Sequence, residues 1–288
     1  IGVRLVGSEM CIRDRPIREL KNDLAAIVAF AQLAEELGFT HLRIPDQILR
    51  PNNQHLHEPL TLMGYLAALT EKIELTPSVI VLPLRETILL AKQTTEIDIL
   101  SGGRLRLGIG VGGSEDEYQF VGEDYKTRGK KCDEQMKLLK ELWCKESVEF
   151  IADWHNISKA GINPLPIQRP IPMWIGAKAS PRRSVINRIG TLSDGWFVLC
   201  NPEEFPKLNM EINDIAKKSG RDPKEIGTEA GVAVVGPREH EWQGRVKVWK
   251  SKGLSHLCIR TLGGGLSPKQ HLEKLQEIST ELEEVNAY

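Results

Sequence analysis

The sequence predicts an α/β protein of the (β/α)8 TIM-barrel class. Three observations carry that expectation. From Pro16 onward one unit recurs: an amphipathic helix, a glycine-containing stop and a short apolar strand. Seven strand-like runs follow Pro16, at about residues 41–45, 73–81, 104–110, 172–176, 194–199, 228–235 and 256–260. An eighth belongs before the first helix, and eight strands in 288 residues suit a closed barrel better than an open sheet.

The segment before the first unit stands apart. Residues 1–15, IGVRLVGSEMCIRDR, have neither the sustained apolar core of a signal peptide nor a helical stripe. They read as translated adaptor sequence of the kind found in assembled environmental reads, with the first barrel strand lost or replaced. The alternative is a natural strand, IGVRLV, and a loop. Residues 16–288 then form one barrel domain. Its first unit is AIVAFAQLAEELGFTHLRI, where Ile27, Ala31, Ala34 and Leu37 share a face. Gly38 supplies a left-handed C-cap, and THLRI reads as a strand. The unit returns in TILLAKQTTEIDILSGGRLRLGI, SPRRSVINRIGTLSDGWFVL and WQGRVKVWKSKGLSHLCIR. The runs KIELTPSVIVL, PMWIG and TEAGVAVV supply further strands, and such apolar strands between helices imply a parallel sheet covered on the outside. Residues 111–171 are a long insertion after the fourth strand of the barrel. They carry a helix over 128–143, with Cys132, Met136, Leu139 and Trp143 on one face, and the hairpin-like SVEFIADWHNIS. Loops that follow barrel strands lie on the active-site face, so this insertion is expected to act as a lid.

Composition narrows the function classes. A formal net charge of -1 gives no electrostatic drive toward nucleic acid or an anionic membrane. No apolar run approaches the ~20 residues that span a bilayer; the longest, SVIVLPL, is broken by Pro83 and followed by Arg85. The five cysteines (Cys11, Cys132, Cys144, Cys200 and Cys258) are scattered and never form CxxC, which points to reduced thiols in a cytoplasmic setting. His55 and His57, with His41 nearby, lack a third clear ligand, so no metal is expected. EDEYQF, with Glu123 and Asp124, reads as a solvated acidic loop rather than paired catalytic carboxylates.

RLRLGIGVGGSEDEY contains G-x-G-x-x-G at Gly108, Gly110 and Gly113. A dinucleotide-binding turn should open an apolar-faced helix and lie at the start of the fold. Here the next residues are acidic and two βα units come first. The glycines fit better at a strand end where backbone approaches a ring or follows barrel curvature.

Three longer stretches resemble the luciferase-like monooxygenase superfamily, and within it the branch that uses the deazaflavin coenzyme F420. They are AEELGFTHLRIPDQI, the run from EPLTLMGY through RLRLGIGVGGSEDEY, and NPLPIQRPIPMWIGAKASPRRSVINRIGTLSDGWFVL. The likeness runs from about Leu24 to Leu199 and is most specific in DILSGGRL and PIQRP. It implies a (β/α)8 barrel, in agreement with the strand count, and a homodimer. It also implies a non-prolyl cis peptide between Ser78 and Val79 behind the central flavin ring, where the residues alone read as plain strand. Pro77 stands where relatives often have Thr, which leaves the Thr76–Pro77 bond open as the unusual one.

The candidate site follows from both readings. WIGAKASPRRSV is a strand, then small residues, then a helix start with Ser180 as N-cap and Pro181 at the first position. Gly176, Ala177, Lys178 and Ser180 with the free amides of that helix form a phosphate cradle; the plainer alternative is a capped helix. Gly110 and Gly112 would lie close to the ring. Asp46, at a barrel strand's C-terminal end, is the candidate polar group facing ring or substrate. Many F420-dependent relatives have His next to it; Gln47 cannot titrate, which puts that proton-transfer role in doubt. Gly113 replaces the Glu of the sugar-phosphate dehydrogenase branch, so that activity is not expected. The reading is an oxidoreductase that uses coenzyme F420 for hydride transfer to or from a small organic substrate. The alternatives are an FMN-dependent monooxygenase using O2 and a non-catalytic flavin-binding barrel.

Overall fold

Eight parallel strands pair around a closed circuit in the computed structural model, which describes residues 6–9, 19–20, 22–49, 56–178 and 180–286. The strands are β1 (Val6–Glu9), β2 (His41–Ile44), β3 (Glu74–Pro77) with its continuation β4 (Ile80–Val81), and β5 (Leu107–Gly110). A separate antiparallel hairpin, β6 (Val148–Ile151) and β7 (Asn156–Ala160), lies outside the circuit, which resumes with β8 (Met173–Lys178), β9 (Gly195–Leu199), β10 (Gly227–Ala233) and β11 (His256–Arg260). Pairing runs β3–β2–β1–β11–β10–β9–β8–β5–β4. It closes where Leu75 of β3 exchanges backbone hydrogen bonds with Arg104 and Arg106 just ahead of β5. All seven strands expected after Pro16 are present. The run 73–81 is divided by a cis peptide between Ser78 and Val79, and the bond between Thr76 and Pro77 is not among the cis peptides.

The slot before the first helix is filled by β1, inside the segment read as foreign, between β2 and β11. Parallel pairing uses backbone N–H and C=O groups, so it places few demands on the side chains of the strand that fills the slot. Residues 1–5 and 10–15 lie outside the described residues.

The helices follow the strands as the periodicity predicts. They are α1 (Leu24–Glu36), α2 (Pro59–Ala67), α3 (Thr87–Leu100), α4 (Glu115–Phe120), α5 (Arg128–Cys144), α6 (Arg183–Leu192), α7 (Phe205–Lys218), α8 (Trp242–Ser251) and α9 (Pro268–Asn286). α1 buries Ile27, Ala31 and Ala34 as expected, and Gly38 beyond it takes φ +79°. α5 buries Cys132, Met136, Leu139 and Trp143. Instead of roofing the mouth, α5 packs against α3 and α6 in the outer ring of helices. The β6–β7 turn is clamped to that ring: Glu134 of α5 accepts from the Asp153 and Trp154 amides at 3.0 and 2.9 Å, and His155 meets Thr87 at 2.6 Å. Among the described residues no helix is long and apolar enough to cross a membrane.

The motifs that carry the family resemblance sit at the N-terminal ends of the strands, where they tie the floor of the barrel. Arg104 of DILSGGRL donates to the carbonyls of Ala67 (2.9 Å), Thr70 (2.8 Å) and Ile73 (2.7 Å), so it closes the end of α2 and the entry to β3. Asp98 of the same motif accepts from the backbone and side chain of Gln168 in PIQRP, at 2.9 and 2.7 Å. Glu35 of AEELG accepts from the amides of Glu71, Lys72 and Ile73. Asp194 accepts from the Met173 amide at the start of β8, at 2.8 Å. Each of these charged groups satisfies backbone groups that the helix and strand ends leave without partners.

Arg104→Lys keeps the charge but loses the planar fork that reaches several carbonyls at once. It is expected to lower unfolding stability by about 1–3 kcal/mol, measured by urea denaturation. A change below about 0.5 kcal/mol, the size of an ordinary surface substitution, would show that these contacts do not hold the floor.

Candidate active site

The interior of this barrel is charged and aromatic rather than aliphatic. Inward positions alternate along each strand, and contacts between strands that are not neighbours identify them. Glu229 of β10, fully buried, meets His41 (3.3 Å) and Arg43 (3.2 Å) of β2 and Arg106 (2.8 Å) ahead of β5. Arg106 also pairs with Glu74 of β3. Its guanidinium lies 4.2 Å from the ring centroid of Trp174, and that of Arg43 lies 4.6 Å from Phe197. Burial alone would raise the Glu229 carboxyl, but His41, Arg106 and Arg43 hold it well below the usual carboxylate range. Burial would likewise lower Arg106, and Glu74 and Glu229 reverse this.

This network reaches the mouth through Arg43, whose Nε donates to Ser78 Oγ at 2.9 Å. The Ser78–Val79 peptide is therefore held from beneath. Val79 rests over two of the predicted glycines: a Cβ on Gly110 would come within 2.6 Å of Val79 Cγ2, and one on Gly176 within 3.4 Å of Val79 Cγ1. Gly112 has φ +64°, and a Cβ there would meet Val81 at 2.7 Å. The close approach at Gly110 and Gly112 is made by valines of the chain itself.

Three other predicted residues, Asp46, Ala177 and Ser180, are placed differently from the sequence expectation. Asp46 has its oxygens engaged by the Val81 amide (3.2 Å) and Arg85 (3.0 Å), so it braces β4 instead of facing an open site. Burial raises its carboxyl despite the Arg85 beside it. Gln47 is half-buried and donates to the Leu49 carbonyl at 3.1 Å. Ala177 packs into the hydrophobic core, because strand alternation turns it away from Gly176 and Lys178. Ser180 is not the N-cap of α6: Arg182 takes that place with extended backbone (ψ 150°), helix begins at Arg183, and no side chain caps it. Exposed Lys178 and the uncapped start of α6 remain at the end of β8.

The acidic run after the glycines is ordered, not a solvated loop. Ser114 caps α4, whose first turn carries Glu115, Asp116 and Glu117, the favourable sign for a helix N-terminus. Buried Glu117 accepts from the Ile48 amide at 3.0 Å, which ties α4 to the loop after β2. His57 is exposed, and His55 lies outside the described residues. His41, Glu229 and Cys258 lie close enough to suggest a metal site. Two guanidiniums within 3.2 Å of that carboxylate already neutralise it, so the donor set does not suit a cation.

A cavity of about 720 Å³ opens over β9, β10 and β11. Arg43, Phe197 and Glu229 lie in its floor, and Leu199, Trp249, Arg245 and Arg260 in its walls. None of the ten sequence-predicted residues lines it. The signal that could have found it is a charge inside an apolar strand: Arg43 in HLRI, Glu229 in TEAGVAVV and Arg260 in HLCIR. A residue of that kind points into the barrel or is paired.

Two measurements test the interior. Glu229→Ala leaves three basic groups buried without their carboxylate and is expected to cost about 3–5 kcal/mol in denaturant unfolding; a loss below about 1 kcal/mol, a tenth or so of a typical domain's stability, would contradict the network's role. His256 is pushed down to about 3, first by burial and then by Arg106. It is neutral in the fold, so the unfolded chain gains a proton as pH falls below its ordinary value near 6.5. Stability should fall from about pH 6.5 toward pH 4 by up to ~1.4 kcal/mol per pH unit on this account, and His256→Gln should remove that share of the slope.

Comparison with known proteins agrees with this architecture. The profile of the family described as luciferase-like monooxygenase matches residues 8–281. An uncharacterized protein of Mycobacterium tuberculosis is 28% identical over 230 residues, covering 72% of this chain and 77% of its own. An F420-dependent glucose-6-phosphate dehydrogenase of Amycolatopsis mediterranei is 29% identical, over 69% of this chain and 60% of its own. An FMNH(2)-dependent dimethylsulfone monooxygenase of Pseudomonas putida is 27% identical, over 66% of this chain and 52% of its own. The solved structure of monooxygenase RslO1 from Streptomyces bottropensis superposes with a TM-score of 0.82 at 16% identity, over 96% of this chain and 98% of its own, a likeness of fold. By the extent of the profile match and the fold it shares, the chain belongs to the luciferase-like monooxygenase family.

Proposed function

We propose that this chain is an oxidoreductase that holds coenzyme F420 across the barrel mouth and acts on a small organic molecule. The observation that carries the reading is the Ser78–Val79 bulge, braced by Arg43 and seated on Gly110 and Gly176, beside a helix start that no side chain caps. The residues suit the cofactor. Lys178 and the first amides of α6 would hold its phosphate, where helix dipole and free N–H groups favour an anion. Val79 would support one face of the ring. When bound, the deazaflavin supplies hydride-transfer chemistry. The chain's own part is orientation: Asp46 positions β4 through the Val81 amide, and Glu117 of α4 holds the loop after β2 through the Ile48 amide. Gln47 holds no titratable proton, so a proton accompanying the reaction comes from another group or from solvent.

A second reading keeps the same site for FMN and O2 chemistry. Gln47 favours it, since that reading requires no acid or base at this position. Supporting relatives exist on both sides, one named for F420 and one for FMNH2.

Titration of the purified protein with F420 and with FMN, followed by cofactor fluorescence, separates the readings. The proposal expects F420 to bind and Lys178→Ala to weaken it about 10-fold or more. Binding of FMN alone would replace the first reading with the second, and binding of neither would defeat both. An unchanged affinity in Lys178→Ala would displace the phosphate from the β8–α6 loop.

A further inference from the structure

The hairpin turn outside the barrel carries a hydrogen-bond arrangement that the candidate site does not use. Glu134 of α5 accepts from His155 Nδ1 at 2.7 Å, and His155 Nε2 lies 2.6 Å from Thr87 Oγ1 in the first turn of α3. A carboxylate only accepts, so in the neutral imidazole Nδ1 carries the hydrogen and Nε2 accepts that of the Thr87 hydroxyl. The Thr87 oxygen is left to accept in turn, and it does so from Gln135 Nε2 at 2.9 Å. Every donor thus points one way, from Gln135 through Thr87 and His155 to Glu134. Hydroxyl, imidazole and carboxylate in that order resemble an activated nucleophile. Thr87 is only 1% exposed, however, and its oxygen is already engaged, so no substrate reaches it. The arrangement holds rather than attacks.

What it holds is the connection from β4 to α3. The same Gln135 nitrogen donates its other hydrogen to the Arg85 carbonyl at 3.1 Å. Gln135 is fully buried, and the reverse orientation of its amide would set its oxygen against that carbonyl. The Arg85 guanidinium meets one oxygen of Asp46, whose other oxygen accepts from the Val81 amide, two residues beyond Val79 of the cis peptide. We infer that His155 is a positioning residue: with Glu134 and Thr87 it locks the Gln135 amide, and through Arg85 and Asp46 it fixes β4 at the mouth. That β4 in turn places the cofactor ring rests on the reading above. Loss of the Thr87 hydroxyl frees the Gln135 amide, and the constraint on Arg85 goes with it.

Amide hydrogen exchange on the whole chain reads this without any ligand. Thr87→Val keeps the shape of the side chain and removes the hydroxyl. Exchange at Val81 is expected to rise about 3- to 10-fold, whereas the Met173 amide, held by Asp194 on the floor, keeps its rate. Thr87→Ser restores the hydroxyl and with it the natural rate at Val81. His155→Phe keeps a planar ring without its nitrogens; it is expected to match Thr87→Val and decides the matter should that variant not fold. An unchanged Val81 rate in a folded variant overturns the inference. So does an equal rise at Met173, which would be general loosening, and so does the same rise in Thr87→Ser. F420 affinity, followed by fluorescence, is expected to fall about 3- to 10-fold in Thr87→Val and to be kept in Thr87→Ser. Faster exchange at Val81 with unaltered F420 affinity overturns the positioning role toward the cofactor. If the natural chain binds neither F420 nor FMN, the exchange rates alone decide whether His155 fixes β4, and only the cofactor reading falls.

Discussion

The position of everything at the mouth depends on one buried carboxylate, that of Glu229. An isolated ionised carboxylate in a low-dielectric interior would cost tens of kcal/mol, so its presence requires partners of opposite charge from several directions. Those partners arrive on β2 and ahead of β5, strands that do not neighbour β10 in the sheet. The carboxylate therefore fixes the distance across the barrel, which strand pairing alone leaves to side-chain packing. Arg43 carries this constraint upward, because the guanidinium that meets Glu229 also meets Ser78. The bulge, the floor of the large cavity and the charge network are in this way one assembly.

A division of labour follows along the barrel axis. At the strands' N-terminal ends, Glu35, Asp98, Arg104 and Asp194 satisfy backbone groups and hold helices to strands. At the C-terminal ends, polar groups are spent on the bulge and on the cavity. Such a separation agrees with barrels in which stability resides below and chemistry above.

It also explains what could be read in the sequence. Strand alternation, helix faces and the glycine stops made the fold legible, down to the buried face of α5 and the C-cap at Gly38. DILSGGRL and PIQRP are specific because a guanidinium or carboxylate serving several backbone groups at once tolerates little substitution, and that is a property of the floor. They therefore announce the family and say little of the site. The mouth was read less well, for local reasons. Ser180 has the chemistry of a cap, but the helix starts three residues later behind an extended Arg182, and Pro181 carries no N–H to be capped. Asp46 stands at a strand end, yet Arg85, thirty-nine residues later, claims it. The interior network joins residues of β2, β3 and β10 with Arg106 ahead of β5, far apart in the chain, and pairings of that kind leave no trace in periodicity. Only the charges inside HLRI, TEAGVAVV and HLCIR mark it.

The central claim is that the cofactor lies on the β4–β8 side of the mouth, apart from the cavity over β9–β11. A crystal structure of the chain with F420 bound tests this most directly. The account predicts the ring against Val79 and the phosphate within hydrogen-bond distance of Lys178 and the first amides of α6. A ring lying over β9–β11, with its phosphate on Arg245 and Arg260, would contradict it.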